Sequence, residues 1–406
     1  MIIFDGVAKE EIERGLRAVD VLLKTLQGQT DDMLALLRRL VETESPSTDK
    51  AAVDRLGKLV AGVARKFGER VRFYPSQTTG NHLRAEFRFD SRPARGQILL
   101  LGHLDTVWSL GTLQRMPFRV IRGREGRAYG PGVFDMKSGI VIGLFALGAL
   151  RKLQIPIRKN IMMLLNADEE IGSPSSRPIT EREARRSDAA LVLEPAHGPR
   201  GALKTARKGT GEFELRVRGR AAHAGLEPEK GVNAILELSR QLLVIEKLAD
   251  KKRGITFNPG IVRGGTRANV IPDQALATID VRVMRAEDQV RAERGLRALR
   301  PYDRRATLAI TGGFNRPPFE RSKAVAALLD RARRLAEPLG IELSEATVGG
   351  GSDGNFTAAL GVPTLDGLGA VGEGAHAVHE NIVIAELPRR AALLAHLIAD
   401  LAGARD

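Results

Sequence analysis

Five places in the chain put a histidine or a carboxylate after, or close to, a short apolar run. Imidazole and carboxylate groups are the ligands that zinc and similar divalent ions accept. Gly or Pro lies close to each of these places and opens the backbone there. The candidate positions are His103 in GHLDTVW, Asp135 in GPGVFDMKSG, Glu169 and Glu170 in LLNADEEIGS, Glu194 in LVLEP, and His376 in GEGAHAVHE.

Two imidazoles and three carboxylates would satisfy a pair of divalent ions, with one carboxylate bridging them. Zinc suits such a set, and cobalt or manganese would also fit. A hydrolytic site needs one further carboxylate that stays off the metals, accepts a proton from water and returns it to the leaving amine. The adjacent Glu169 and Glu170 supply one base and one ligand. A lone histidine or a Glu pair is common on exposed turns, so the prediction depends on the repetition.

The composition indicates a globular protein and limits its chemistry. The 406 residues are 43% hydrophobic and 28% charged, and the absence of cysteine excludes disulfides, thiolate ligands and a cysteine nucleophile. The formal net charge of +14 would suit a nucleic-acid binder, but acidic residues are interspersed with the basic ones and only 4% of residues are aromatic. We therefore predict no nucleic-acid partner, and interpret the charge as solvated helix faces that attract a small anionic substrate.

Apolar strand patterns alternate with helix patterns in the first half of the chain, from QILLLGHL to AALVLEP. This order predicts an α/β fold whose mostly parallel sheet is covered by helices, with sites at the carboxyl ends of the strands. From residue 206 the pattern changes to period-two alternation, which predicts an inserted α+β domain over 206–314. Residues 1–205 and 315–406 would then form the larger domain, in agreement with a length that suits two domains.

Neither end of the chain nor its most apolar stretch predicts a membrane protein. SGIVIGLFALGAL at 138–150 is too short to cross a bilayer and predicts a buried helix. The N-terminus carries acidic residues where a signal peptide needs a basic and then an apolar region. We expect a cytoplasmic protein with no membrane partner.

Seven ordered motifs beyond GHLDTVW identify a family that the chain resembles. In sequence order they are YGPGVFDMKSG, ADEEIGS, LEP, GRAAHAG, NVIP, GGGSDGNF and GAHAVHE. Together they resemble the M20 family of dinuclear zinc peptidases, and most closely its glutamate carboxypeptidase (carboxypeptidase G) branch. The resemblance extends from about Gln29 to the C-terminus. Residues 1–28 predict an additional N-terminal helix.

The resemblance implies a role for each metal-site residue. His103 and Glu194 would bind one zinc, Glu170 and His376 the other, and Asp135 would bridge them. Glu169 would be the general base, and Asp105 would orient the His103 ring. A cis peptide bond would join Asp135 to Met136, the position at which many relatives carry a second acid. His379 competes with His376, but the family pattern of a ligand histidine followed four residues later by glutamate fits His376 and Glu380. His82, His197 and His396 match no ligand position.

The resemblance also implies roles for the inserted domain, which would form the lid and the dimer contact. His223 would stabilise the oxyanion across a homodimer interface, and Asn269 and Arg282 would hold the substrate's free carboxylate. An exposed strand cation is the alternative for Arg282. Gly350, Gly351 and Ser352 in GGGSDGN would bind the substrate, although three glycines are equally typical of an ordinary loop.

The expected activity is zinc-dependent hydrolysis that releases a C-terminal amino acid, glutamate in the first instance, from an N-acyl or peptidyl (folate-like) substrate. Glu194, where aminopeptidases of the family carry Asp, points to substrates with a free α-carboxylate. The alternatives are an N-acyl-amino-acid deacylase or dipeptidase on the same scaffold and, from another class, a non-catalytic binding protein. Two Zn²⁺ per subunit, a homodimer and a small anionic substrate are expected.

Overall fold

The computed structural model describes residues 21–66, 70–90, 93–123 and 125–403. The chain forms two compact units. The first comprises the described residues up to Thr205, then Arg321–Thr347 and the residues from Ser352 onward; the second comprises Ala206–Glu320 and Val348–Gly351. The second unit therefore extends past the predicted boundary at 314, because its last strand continues to Arg316.

A six-stranded sheet forms the centre of the first unit. The strands of this unit are β1 (Arg70–Tyr74), β2 (His82–Phe87), β3 (Gln97–His103), β4 (Arg119–Ile121), β5 (Arg127–Tyr129), β6 (Asn160–Asn166), β7 (Ala189–Val192), β16 (Thr364–Leu365), β17 (Gly372–Glu373) and β18 (Asn381–Val383). Two further strands, β8 (Leu203–Arg207) and β15 (Glu345–Val348), begin in the first unit and end in the second. The order in the central sheet is β1-β2-β6-β3-β7-β16. Strands β6, β3, β7 and β16 run parallel, while β1 and β2 are antiparallel additions at one edge. All seven residues of β3 are buried, as expected for a strand covered on both faces, so the α/β fold with a mostly parallel sheet is confirmed.

The apolar stretch predicted to form a buried helix does so. Among the described residues, one helical stretch, Val133–Lys152, is long and apolar enough to cross a membrane, but 83% of its apolar window is buried inside the protein. Core helices of globular proteins commonly have this character. The α-helices of the first unit are α1 (Thr30–Glu42), α2 (Lys50–Arg65), α3 (Ser138–Lys152), α4 (Arg177–Ala184), α7 (Lys323–Ala336), α8 (Gly354–Ala359) and α9 (Glu386–Ala402).

The second unit is an antiparallel sheet with two helices. Its elements are β9 (Gly209–Arg218), β10 (Ala222–His223), α5 (Ala234–Glu246), β11 (Thr256–Gly264), β12 (Val270–Ile271), β13 (Gln274–Val283), α6 (Ala286–Arg297) and β14 (Thr307–Arg316). The strand order is β11-β13-β9-β14. Burial alternates along β13, so one face forms the core with the helices and the other is partly exposed. Phe213 lies opposite Ile279 and Leu215 opposite Ala277 in this core, so the period-two pattern predicted the α+β architecture.

An additional N-terminal helix is predicted over residues 1–28, of which residues 1–20 lie outside the described residues. Residues 21–27 are helical. Leu22 and Leu26 are buried in the main core of the first unit, so this part of the segment packs onto the larger domain.

Candidate metal centre and active site

Three neighbouring parallel strands of the first unit place candidate ligands at one edge of the sheet. His103 is the last residue of β3 and lies opposite Asn166, the last residue of β6. Glu169 and Glu170 follow β6 in a short 3₁₀ turn, and Glu194 follows β7. Because parallel strands end at the same edge, the three apolar runs deliver their polar ends together, as predicted.

The five predicted ligands form one continuous chain of contacts. His103 Nε2 lies 3.3 Å from Glu194 Oε1 and 3.2 Å from Asp135 Oδ1. His376 Nε2 lies 3.5 Å from Asp135 Oδ2 and 3.3 Å from Glu170 Oε2. Asp135 therefore uses one oxygen toward each histidine, which is the arrangement that a bridging carboxylate requires.

The donor set fits a pair of divalent cations. Three carboxylates converge in a largely buried site, and Glu170 Oε1 is buried without a hydrogen-bond partner among the described residues. Burial lowers the pKa of His103, but hydrogen bonds with Asp105, Asp135 and Glu194 outweigh it and raise the pKa well above its usual value. Hydrogen bonds with Asp135 and Glu170 raise the pKa of His376 to about 10. Metal binding by these imidazoles would therefore displace protons.

Asp105 contacts both the His103 ring and the turn that follows β6. Its backbone carbonyl lies 2.9 Å from His103 Nδ1 and its nearest carboxylate oxygen lies 3.5 Å from the same atom, so both groups can orient the ring as predicted. The Asp105 carboxylate also accepts the N–H groups of Glu169 at 3.2 Å and Glu170 at 3.1 Å, and the Ser47 hydroxyl at 2.7 Å. It therefore braces the turn that carries the candidate base and a candidate ligand.

Glu380 performs a similar function for the bridging residue. Its carboxylate is buried and accepts four donors: the N–H groups of Gly132 at 2.8 Å, Phe134 at 2.9 Å and Asp135 at 2.9 Å, and the indole N–H of Trp108 at 2.8 Å. Burial raises the pKa of Glu380, and the four donors partly offset this effect by favouring the carboxylate. The peptide bond between Asp135 and Met136 is cis, as expected.

The structure brings His376, rather than His379, to the candidate ligands. The Nε2 atom of His376 contacts both Asp135 and Glu170. His376 has φ +62°, a conformation that an L-residue adopts only when its surroundings hold it. The family pattern that fits His376 and Glu380 thus pointed to the histidine that lies beside the other candidate ligands.

Two predicted residues of the second unit lie side by side. His223 in β10 pairs with Val270 of β12, and the N–H of Ala224 donates to the carbonyl of Asn269 at 3.0 Å. His223 Nδ1 accepts the N–H groups of Gly225 at 3.1 Å and Leu226 at 3.2 Å. The Nε2 atom therefore carries the proton and is available as a donor on an exposed side chain.

Arg282 lies on the partly exposed face of β13. Its Nε donates to both carboxylate oxygens of Asp280, at 2.8 and 3.0 Å. Within the described part of the chain its two terminal nitrogens have no hydrogen-bond partner, so the guanidinium keeps the donors needed to bind a carboxylate.

The predicted substrate loop divides into two parts. Gly350 and Gly351 belong to the second unit, and their carbonyls accept Nη1 of Arg207 at 3.1 and 3.3 Å. Ser352 belongs to the first unit and is buried. Its hydroxyl donates to Asp366 at 2.7 Å and accepts the N–H of Gly354 at 3.1 Å. The Ser352 hydroxyl is thus already paired within the protein, and substrate binding by this residue stays a prediction.

Comparisons with known proteins agree with the geometry. Residues 99–400 match the model of peptidase family M20/M25/M40. Carboxypeptidase G2 of Pseudomonas sp. (strain RS-16) is 32% identical over 391 residues, which cover 94% of this chain and 92% of that protein. An acetylornithine deacetylase of Edwardsiella ictaluri is 30% identical over 264 residues, covering 60% of this chain and 65% of the relative.

Solved structures share the fold at lower identity. Aminopeptidase PepT of Bacillus cereus superposes with a TM-score of 0.75 at 22% identity and covers 92% of this chain and 99% of its own. A dinuclear metal-binding M20 peptidase of Bacillus subtilis superposes with a TM-score of 0.67 at 16% identity, covering 93% of this chain and 99% of its own. The resemblance inferred from the motifs is confirmed: the chain belongs to peptidase family M20 and is a hydrolytic enzyme of the metallopeptidase type.

Proposed function

We propose that this enzyme hydrolyses an amide bond and releases a C-terminal amino acid with the help of two divalent ions, zinc in the first instance. The observation that carries the proposal is the unbroken series of contacts from Glu194 through His103, Asp135 and His376 to Glu170. His103 and Glu194 would hold one ion and Glu170 and His376 the other, with Asp135 between them.

Bound divalent ions polarise a carbonyl and lower the pKa of a water molecule, which becomes a nucleophile at neutral pH. Glu169 accepts the proton of the attacking water and returns it to the leaving amine. Its carboxylate oxygen lies within 4.8 Å of ligand atoms of His103 and Glu194. The bond from its own N–H to Asp105 holds the base at this distance.

The exposed residues of the second unit would bind the substrate. His223 donates from Nε2 to the oxyanion, since its Nδ1 is occupied by backbone N–H groups. Asn269 and Arg282 bind the free α-carboxylate, for which the open terminal nitrogens of Arg282 offer the required fork. The Asp280 partner would hold this guanidinium in a fixed orientation.

We propose glutamate as the released residue, in a folate-like or other N-acyl substrate. This proposal is supported by the motifs that resemble the glutamate carboxypeptidase branch and by the 32% identity to carboxypeptidase G2 over 94% of this chain.

A substrate panel tests this proposal. Zinc-loaded protein is incubated with N-acyl glutamate, N-acyl alanine, N-acetylornithine, dipeptides and a pteroylglutamate, and the free amino acid is measured. Glutamate-selective release that is lost in Glu169→Gln supports the proposal. In Arg282→Met, KM for the glutamate substrate should rise, while KM of Arg294→Met, whose side chain lies on an exposed helix face, should remain unchanged. Selective deacetylation or dipeptide cleavage would instead favour the alternatives that the deacetylase and peptidase relatives suggest.

We further propose that the enzyme is a homodimer, paired through the second unit. Strand β11 lies at the edge of its sheet and is exposed along most of its length, including Ile261 and Val262. Leu236 and Leu243 on α5 are also exposed. An open strand edge beside apolar side chains favours pairing with a second copy. Light scattering of the zinc-loaded protein would show a monomeric mass if this is wrong. A cytoplasmic location remains a prediction from the sequence.

A further inference from the structure

A buried histidine that the proposed reaction does not use lies behind the turn carrying Glu169 and Glu170. His82 begins β2 and is 1% exposed. Its Nδ1 accepts the backbone N–H of Ala167 at 3.1 Å. Because a backbone N–H can only donate, Nδ1 carries no proton and the ring is neutral with its hydrogen on Nε2. Burial lowers the pKa of this ring, despite the opposing effect of nearby Asp168, and so favours the same state.

The Nε2 hydrogen of His82 continues into a chain of hydrogen bonds with a defined direction. Nε2 lies 3.0 Å from Ser175 Oγ, and the Ser175 hydroxyl donates to Asp168 Oδ2 at 2.6 Å. The same carboxylate oxygen accepts the N–H groups of Ser175 at 2.7 Å and Ser176 at 3.2 Å. Asp168 is fully buried and directly precedes the candidate base. Thr79 Oγ1 also lies 3.0 Å from Ser175 Oγ, so His82 and Thr79 together orient the hydroxyl that donates to Asp168.

The other side of the same turn is held by Asp353. Its carboxylate accepts the side chains of Asn166, at 2.5 Å, and of Ser173. Ser173 has φ +59°, so its backbone conformation depends on such contacts. The segment from Asn166 to Ser176 is thus anchored at both ends by buried polar groups, and His82 holds Ala167, between Asn166 and the turn.

We propose that His82 is a positioning residue for hydrolysis: its neutral ring holds Ala167 and directs Ser175 onto Asp168, and so fixes the turn that presents Glu169 and Glu170. Glu169 lies two residues after the bonded N–H. A displacement of about 1 Å at a reacting group can lower the rate by about a hundredfold. This inference rests on the proposed function for its rate readout but not for its metal readout.

The test compares three substitutions of His82 in the full-length, metal-loaded protein. His82→Leu removes both contacts, and we expect kcat to fall about a hundredfold, with KM within about twofold of wild type. His82→Asn keeps an acceptor close to the Nδ1 position and should recover about tenfold of this loss. His82→Gln keeps a group close to Nε2 but not the acceptor for Ala167, and should recover less than His82→Asn.

Gln97→Leu is the matched control. Gln97 is buried and is the first residue of β3, whereas His103 is the last. The Gln97 side chain donates to Ser187 Oγ at 3.0 Å and to the carbonyl of Glu183 at 3.3 Å. It should lower the melting temperature as His82→Leu does, but leave kcat unchanged. Equal kcat in His82→Leu and Gln97→Leu, at matched folded fractions, would overturn the proposal.

Cobalt binding separates this inference from the proposed function. Titration with Co²⁺, followed by visible absorbance, should show about tenfold weaker binding in His82→Leu than in Gln97→Leu, because Glu170 lies on the displaced turn. If wild type cleaves no substrate, the proposed function fails while this difference in cobalt affinity still decides the role of His82. Identical cobalt affinity in the two variants would count against the proposal.

Discussion

Replacing Glu380 with glutamine would remove two of the four hydrogen bonds that its carboxylate accepts, three of which come from the Asp135 segment. One carboxylate oxygen accepts the N–H groups of Phe134 and Asp135, and the other accepts those of Gly132 and Trp108. A glutamine side chain has one acceptor oxygen and one NH₂ group. Whichever way the amide is oriented, its NH₂ group faces two donors.

The size of the effect follows from this count. A hydrogen bond to a charged group contributes about 1.5–3 kcal/mol, so the loss of two predicts a decrease of about 3–6 kcal/mol in the free energy of unfolding. That is a large part of the roughly 5–15 kcal/mol by which a domain is stable. The fraction of Glu380→Gln that remains folded should have lower kcat and weaker metal binding, because Asp135 lies beside the donors that are lost.

The free energy of unfolding is measured by urea unfolding of the metal-free protein. Zinc affinity is then measured without urea, and kcat is measured on the zinc-loaded protein. Glu373→Gln is the matched control. Glu373 is the last residue of β17, a few residues before Glu380, but its side chain is 63% exposed and pairs with Arg127. It should stay within about 0.5 kcal/mol of wild type. A loss of less than about 1 kcal/mol in Glu380→Gln, with unchanged zinc affinity, would refute the hydrogen-bond count on which this reasoning depends.

Three further results are expected. Glu169→Gln should bind zinc as wild type does but lower kcat by about 10²–10⁴-fold, since only the proton acceptor is lost. Gly139→Ala should fold poorly because its Cβ would lie 2.0 Å from the Leu193 carbonyl, whereas Gly62→Ala, with open space around it in α2, should stabilise the protein by about 0.5–1 kcal/mol. Metal binding should release protons and strengthen as pH rises, because His376, with a pKa of about 10, must lose its proton to become a ligand.

Each of these has a contrary outcome. Zinc loss in Glu169→Gln would make this residue a ligand instead of the base. A well-folded Gly139→Ala would show that α3 can move away from the strand end that precedes Glu194. Calorimetry in two buffers of different ionisation enthalpy measures the proton release, and a metal affinity that falls as pH rises would contradict the expected pH dependence.

The sequence by itself determined the fold class and predicted the residues of the candidate metal centre. Continuous apolar runs identify buried parallel strands, and such strands deliver their ends to one edge of a sheet, so His103, Glu170 and Glu194 could be grouped without coordinates. The family pattern of a ligand histidine followed four residues later by glutamate favoured His376 over His379. These features are local in the chain, and residue type and periodicity encode them directly.

Only the tertiary structure decided what holds those residues. Asp105 braces the turn of Glu169 and Glu170, more than 60 positions away, and His82 reaches Ala167 across 85 positions. Ser352, which the sequence placed in the substrate loop, turns its hydroxyl into the protein. Periodicity predicts whether a side chain is buried but not which donor it meets, because hydrogen-bond partners between strands and loops are set by packing in three dimensions.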